Sequence, residues 1–511
     1  MEETHRVPDD APCAVNLTMF QGFEWHLPAD HQHWARLARA IPDLATLGIT
    51  SMWIPPAAKG MSPVSTGYDT YDLYDLGEFD QKGAKHTKYG TKDELARLVD
   101  AANGHGVGII FDAILNHKAG ADRSEVVSAV KAAPDRLKDI SKPQRVEAWT
   151  AFDFAGRREK YSALKWNKDH FNGVDWDQRS KSNAIWRLDG KKWARDVDEG
   201  NGNYDFLMFS NIDHSHPEVR ADLYRWVEWL GSQLKLGGLR LDAVRHFSAS
   251  FLRDLMRHID TSVGQDWFVV GEYWRGNVEV LSAYVEYMNY RLSLFDVPLV
   301  EGFYKVSTGA EPDIRRLFDD SLAAIKPANT VTIVTNHDTQ PGQTMEMHVE
   351  PFFIPIAYAI ILLCADFGLP CVFWGDIYGI RGPRRPQPPP QDGLMVPRLM
   401  LARKFWAYGT EMSYFSDSKT CIGFTRFGHP SRSGGAGLAV TANIGWRCDE
   451  KRMCVGRQHA GERWADVLGK AWGEVCIDDA GYGVFPVAPR GVSVWTNKAA
   501  ENWDMVGAFI L

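Results

Sequence analysis

Short β-rich runs alternate with amphipathic stretches along most of the chain, and nothing else in the sequence narrows the possible folds as far. Residues 15–22 and 51–55 read as strands, with a helix at 33–47 between them. Residues 92–103 read as a helix opened by a capping box, Thr91 with Glu94 three residues on, and 108–115 as the third strand. Further on, strands at 238–244, 267–273, 293–297, 331–335 and 371–373 alternate with helices at 217–234, 251–260, 278–288, 312–323, 352–367 and 397–406. Repeated βα units predict a parallel sheet, and eight strands predict a closed (β/α)8 TIM barrel.

Two stretches break the rhythm. Residues 118–216 carry Trp149, Trp166, Trp176, Trp186, Trp193 and the run Gly200-Asn201-Gly202-Asn203, with no βα unit. Roughly a hundred irregular residues exceed any plain loop and predict an inserted domain after strand 3. Past Tyr414 the helical pattern ends. Short runs at 421–427, 437–443, 452–455, 464–467, 474–477 and 492–496, with glycine-containing turns, predict a C-terminal antiparallel β-sandwich. The expected division is a catalytic barrel over 1–117 and 217–414, an inserted domain over 118–216 and a β domain over 415–511. The proline-rich segment 382–392 reads as a stiff loop within the barrel.

Composition bounds the function class. With 45% hydrophobic and 24% charged residues, the chain is an ordinary globular one rather than a disordered one. A net charge of −8 favours neither nucleic acid nor an anionic membrane as partner. Seven cysteines without a C-x-x-C pair suggest neither a disulfide framework nor a cysteine zinc site. The run from Met1 to Cys13 is polar and acidic, without an apolar signal core, so the expected location is cytoplasmic and the expected state a monomer. The longest apolar run, 352–365, contains Pro355 and is shorter than the ~20 residues of a membrane span. The 19 Trp residues are costly to leave exposed, so many of them must pack a core or face a flat apolar ligand such as a sugar ring.

In a barrel, functional side chains sit at the C-terminal ends of the strands. Strand 3 ends Asp112-Ala113-Ile114-Leu115-Asn116-His117, strand 4 Arg240-Leu241-Asp242-Ala243-Val244-Arg245-His246, strand 5 Gly271-Glu272-Tyr273-Trp274 and strand 7 Thr335-Asn336-His337-Asp338. Asp242, Glu272 and Asp338 thus converge from three strands, accompanied by His117, His246, His337 and Arg240. Three carboxylates with imidazoles and a guanidinium suit glycosidic cleavage, in which one carboxylate attacks the anomeric carbon and a protonated one serves the leaving oxygen. A retaining site needs those two about 5–5.5 Å apart, and neighbouring strands ~4.8 Å apart can deliver that. Arg240, two residues before Asp242, projects to the same side of the strand and would keep that carboxylate ionised. The histidines could instead ligate a metal, but none shows an H-x-x-x-H spacing.

These four segments resemble the signature regions of the α-amylase family of glycoside hydrolases, family 13. The likeness is closest to the liquefying bacterial-type enzymes and their intracellular fungal relatives, through the run from Gly67 to Phe79, Thr87-Lys88-Tyr89-Gly90-Thr91-Lys92, Asn203-Tyr204-Asp205, Asn336-His337-Asp338-Thr339-Gln340-Pro341 and Val455-Gly456-Arg457-Gln458. The resemblance implies Asp242 as nucleophile, Glu272 as acid/base and Asp338 as the residue binding hydroxyls of the distorted sugar. It places Tyr68 under the sugar ring, with His117, His246, His337 and Arg240 lining that subsite. Arg245 stands where the subgroup usually has lysine, on the leaving-group side, where Trp274 is a candidate sugar platform or plain barrel-rim packing. The resemblance also implies calcium, held by Asn116, Asp205, Asn211 and the carbonyl of His246. Asn211 stands where a carboxylate is usual, and of the further acidic ligands of a bacterial metal cluster only Asp175 and Asp213 remain, with Ala194 and Ser215 in place of others. One calcium is therefore expected. The implied activity is retaining endo-hydrolysis of α-1,4-glucosidic bonds in starch, glycogen and maltooligosaccharides. A 4-α-glucanotransferase on the same site is the alternative, and a non-catalytic glucan-binding protein would require carboxylates to be missing.

Overall fold

Eight parallel strands close into a barrel in a computed structural model that describes residues 4–5, 15–382, 386–389 and 394–508. In chain order they are β1 (Met19–Gln21), β2 (Ser51–Trp53), β3 (Gly108–Ala113), β4 (Gly238–Leu241), β5 (Phe268–Gly271), β6 (Ser293–Phe295), β7 (Thr330–Ile333) and β8 (Leu369–Phe373). The ring closes where β8 pairs with β1 in parallel register. Every strand is almost wholly buried, as expected of a parallel sheet covered by helices. β3, β4 and β5 are consecutive neighbours, with Arg240 opposite Asp112 on one side and Val270 on the other. That register brings the polar ends of three strands to one mouth.

The helices follow from local signals. His33–Thr46 buries Trp34, Leu37, Ile41 and Leu44 along one stripe. Lys92–Gly104 opens with the capping box expected of it, since the Thr91 hydroxyl accepts from the Glu94 N–H and Glu94 Oε2 accepts from the Thr91 N–H. Ile354–Leu363 is apolar on every side and wholly buried, hence a core helix. One helix departs from the sequence reading. Val297–Thr308 follows β6 directly, starting from an Asp296 cap, and residues 312–323 form only a 3-10 turn and the start of a short helix. Pro298 hid this helix: proline is tolerated in a first turn but reads as a breaker from sequence alone.

The interval after β3 folds as a six-stranded antiparallel sheet, entered through His117–Lys118 and left through Ser210–Ile212, which pair with each other. Its period-2 patterning is interrupted by bulges, which is why no strand stood out. The C-terminal region is a seven-stranded antiparallel sheet that takes in Glu411–Tyr414, with the ribbon Asp449–Cys454 and Tyr482–Val487 laid over it. Trp464, Phe485, Trp495 and Met453 fill the space between. The Tyr482–Val487 strand and the helix Trp503–Ala508 carried no sequence signal strong enough to be read. Among the described residues no helix is long and apolar enough to cross a membrane, and six cysteines are free. Cys13 and most of the proline-rich segment 382–392 lie outside the described residues.

Just after β8, Asp376 is buried with the Tyr358 hydroxyl donating to its Oδ2 at 2.6 Å. Burial pushes its carboxyl up to about 7. An acid raised in the folded state contributes stability that is fully present below its unfolded value and lost as pH rises through the folded one. Asp376→Asn should therefore gain on the parent as pH goes from 5 to 8. The difference in melting temperature should move in the variant's favour by about 1 °C per kcal/mol recovered in a chain of this length, and thermal scans at the two pH values check it.

Candidate active site

Arg240 sits at the centre of the barrel mouth, with 1% of its side chain exposed. Its Nη1 donates to Asp112 Oδ1 at 2.7 Å and to Asp242 Oδ1 at 2.8 Å, and its Nη2 to Glu272 Oε2 at 2.6 Å. One planar guanidinium thus ties the ends of β3, β4 and β5. The second Asp112 oxygen accepts from Trp53 Nε1 and from the Tyr68 hydroxyl, each at 2.9 Å. Asp112 is therefore the base of the site, and sequence reasoning quoted it without giving it a role.

Beyond Asp242 the backbone turns sharply. Ala243 adopts φ 53°, a left-handed conformation unusual for alanine, and its N–H points at Glu272 Oε2, 3.2 Å away. The turn brings the Asp242 and Glu272 carboxyls together at the Arg240 guanidinium. Burial pushes both carboxyls up, Arg240 pulls both back, and the charge on Asp242 raises Glu272 further. The pair therefore retains a proton above the ordinary carboxylate range. Such a pair can act as one ionised nucleophile and one protonated acid.

Asp338 faces the same cleft from the loop after β7, with His337 Nε2 3.3 Å from its Oδ2. The imidazoles are held in defined orientations. His117 Nε2 donates to the Tyr68 carbonyl at 2.8 Å, and His246 Nδ1 to the Tyr204 carbonyl at 2.8 Å. His337 Nδ1 accepts from the Gln21 amide at 3.1 Å, which leaves the ring proton on Nε2, on the Asp338 side. Burial lowers all three imidazoles, to about 4 for His117 and about 3 for His246, so they stay neutral. The Tyr68 ring lies nearly parallel to His337 at 5.0 Å and to Trp25 at 5.8 Å. Trp25 was missed in the sequence because it lies in the loop after β1, outside every motif. Trp25, Tyr68, His117, His246 and Asp338, with Trp274, Arg245, Leu207 and Met208, line a cleft of about 460 Å³, within the range of small-molecule sites. His337 and Arg240, expected in that lining, do not reach it.

A second polar cluster lies where the inserted sheet meets the barrel. The Oδ1 atoms of Asn116 and Asn211 are buried and without a hydrogen-bond partner. Asp205 is buried beside them, accepting from Asn172 Nδ2 at 2.7 Å and the Ala194 N–H at 3.0 Å, and burial pushes its carboxyl up to about 7. Orphaned amide oxygens with a carboxylate that lacks a cation are the donor set a hard ion would satisfy. His246 is linked to the cluster through Tyr204, the neighbour of Asp205. Asp175 and Asp213 have protein partners: Asp175 accepts from the Phe209 N–H, and Asp213 from Ser215 and from Lys191 Nζ at 2.8 Å. Elsewhere His170, His216 and Glu218 also come together. There the Asn167 N–H donates to His170 Nδ1 while His170 Nε2 faces Glu218 at 3.2 Å, so both ring nitrogens are used within the protein.

Replacing Arg240 by methionine would leave three buried carboxylates facing one another. Arg240→Met should cost about 3–5 kcal/mol, the usual penalty of breaking a buried ion pair. That deficit should shrink as pH falls and the carboxyls are protonated. Urea unfolding at pH 5 and pH 7.5 checks both the size and the sign.

The family profile for the α-amylase catalytic domain matches residues 34–423, and that for the α-amylase C-terminal domain residues 438–496. The chain is 44% identical to an α-amylase of Bacillus licheniformis over 96% of each protein. It is 35% identical to a cytoplasmic α-amylase of Escherichia coli (strain K12), over 94% of this chain and 98% of that one. In fold it resembles the crystal structure of the Geobacillus thermoleovorans α-amylase complexed with acarbose, with a TM-score of 0.61 at 16% identity, covering 94% and 98% of the two chains. With its barrel and its C-terminal sheet both matched, the chain belongs to the α-amylase family.

Proposed function

We propose that this chain hydrolyses internal α-1,4-glucosidic bonds of starch- and glycogen-type glucans and of maltooligosaccharides, with retention of anomeric configuration. One observation carries the reading. Asp242 and Glu272 end adjoining strands, share the Arg240 guanidinium, and open into a cleft walled by parallel aromatic rings. The relatives named α-amylase support it.

In this reading Asp242 attacks the anomeric carbon and forms a covalent ester. The bond from that carbon to the leaving oxygen breaks, and Glu272 passes its proton to that oxygen. Glu272 then takes a proton from water, which attacks the ester from the face the leaving sugar vacated, and Asp242 is released ionised. Asp338 holds hydroxyls of the distorted ring, with His337 donating beside it. Tyr68 supplies an apolar face under the ring, His117 and His246 line the same subsite, and Trp274 and Arg245 form its leaving-group side. We take the inserted sheet, over 118–216, and the C-terminal sheet, from Glu411 on, as separate domains attached to the barrel. A cytoplasmic setting, as in the name of the E. coli relative, would make glycogen and maltooligosaccharides the substrates.

Asn116, Asp205, Asn211 and the His246 carbonyl are the residues that would hold calcium. The ion would supply positive charge that fixes the inserted sheet against the barrel. The Lys191 ammonium against Asp213 already provides a cation where a second metal would otherwise be needed.

Maltoheptaose, followed by mass over time, should give only shorter products, with reducing ends rising in step; early products longer than the input would favour sugar over water as acceptor. Asp242→Asn and Glu272→Gln should each lose at least about 10³-fold in kcat while still binding maltoheptaose. Chelation should lower the melting temperature. Asn211→Asp, which restores a charge, should tighten calcium by about tenfold, as read by calorimetric titration.

A further inference from the structure

Asp198 belongs to the inserted region, yet its side chain is fully buried against the barrel mouth. Its carboxylate accepts four hydrogen bonds. Oδ1 takes Arg245 Nη2 at 2.7 Å and the Gly200 N–H at 2.6 Å; Oδ2 takes Arg275 Nη1 at 2.7 Å and the Tyr273 hydroxyl at 2.8 Å. The backbone is bound as well, since the Asp198 N–H donates to the Arg245 carbonyl at 3.0 Å and the Asp198 carbonyl accepts from Tyr204 at 3.0 Å. Burial pushes the carboxyl up, but the bonds from Arg275, Tyr273, Arg245 and Gly200 outweigh it and hold it at about 2. It is therefore a permanent anion between two guanidiniums.

The consequence reaches the cleft through Arg245. Its Nη1 donates to the carbonyl of Trp274, and its guanidinium lies 4.7 Å over the Tyr204 ring. Arg245 and Trp274 both line the cleft beside Glu272. Trp274 follows Glu272 by two residues and lines the cleft with it, on the side that the reading above gives to the departing sugar. The site also has no room for slack. A Cβ at Gly200 would stand 2.6 Å from Asp198 Oδ1 and 3.0 Å from Arg275 Nη1.

We infer that Asp198 is a positioning residue for the leaving-group half of the cleft: by clamping Arg245, Arg275 and Tyr273 it fixes the Trp274 segment against which the departing glucan sugars are bound. This rests on the hydrolase reading above. Asp198 touches no reacting atom. It should therefore matter only for substrates whose departing half is a sugar.

The test compares two substrates, with calcium supplied. Maltoheptaose places sugars on both sides of the scissile bond, whereas α-maltosyl fluoride has fluoride as its leaving group and places none beyond it. Asp198→Asn removes the charge and keeps the size. It should lower kcat/KM for maltoheptaose about tenfold, mainly through KM, and shift the cleaved bond. Release of fluoride from the second substrate should stay within about twofold of the parent. Gly200→Ala, which pushes on the same carboxylate, and Arg275→Gln, which removes a partly exposed donor, should show the same split if Asp198→Asn folds poorly. Asp198→Glu should recover part of the loss. Equal losses on both substrates, or no loss on maltoheptaose in folded variants, would overturn the inference. A parent protein that releases no fluoride would overturn the hydrolase reading and this inference with it.

Discussion

The Arg240 guanidinium is what the active-site mouth is built around. Three carboxylates from β3, β4 and β5 meet within hydrogen-bonding distance of it and almost no water reaches them. Uncompensated, that arrangement would be strongly unfavourable, because each buried charge loses its hydration. The planar fork of one arginine can face three acceptors at once, which a lysine ammonium at the same place could not match in geometry. Asp112 then carries the order outward, since its other oxygen orients Trp53 and Tyr68. The Tyr68 ring and the Glu272 carboxyl are therefore positioned by a single ion-pair network rather than by separate contacts.

The inserted sheet is tied to that mouth twice, in physically different ways. At one tie, Asn116 and Asn211 present unpartnered oxygens beside the buried Asp205 carboxyl, and a bound cation would complete the contact. At the other, Asp198 meets two arginines and needs no ion from solution. With calcium bound as proposed, the first tie would depend on metal concentration and the second would not. Lys191 acts in the same spirit, placing a covalently attached cation against Asp213.

The barrel was legible because its signal is repetitive and its strands are apolar throughout. Each strand lies where the pattern placed it, most with shorter ends, though β7 and β8 begin earlier, and the acidic residues of the site stand just beyond β4, β5 and β7. The inserted sheet was legible only as an interruption, because bulges break the period-2 pattern that marks a strand. The helix after β6 was lost to Pro298, whose meaning depends on which turn of a helix it occupies. Trp25 and Asp198 were out of reach for a different reason. They act through contacts with residues far along the chain, Trp25 beside Tyr68 and His337, Asp198 beside Arg245 and Arg275. Nothing in the local spacing announces such a partner.

The two halves of the cleft are accordingly held by different forces. On the Tyr68 side, nearly parallel rings and neutral imidazoles with set orientations make a surface governed by dispersion and by uncharged hydrogen bonds. On the Trp274 side, the surface is held by charge: an anion at about 2 between two guanidiniums, bonded through Arg245 to the peptide that carries the indole. The imidazoles are lowered by burial and stay neutral, and Asp198 stays ionised, so neither set exchanges protons near neutrality. The Asp242, Glu272 and Asp338 carboxyls, all raised by burial, are the groups of the cleft left to do so. A scaffold whose own charges are fixed leaves those protons free to move.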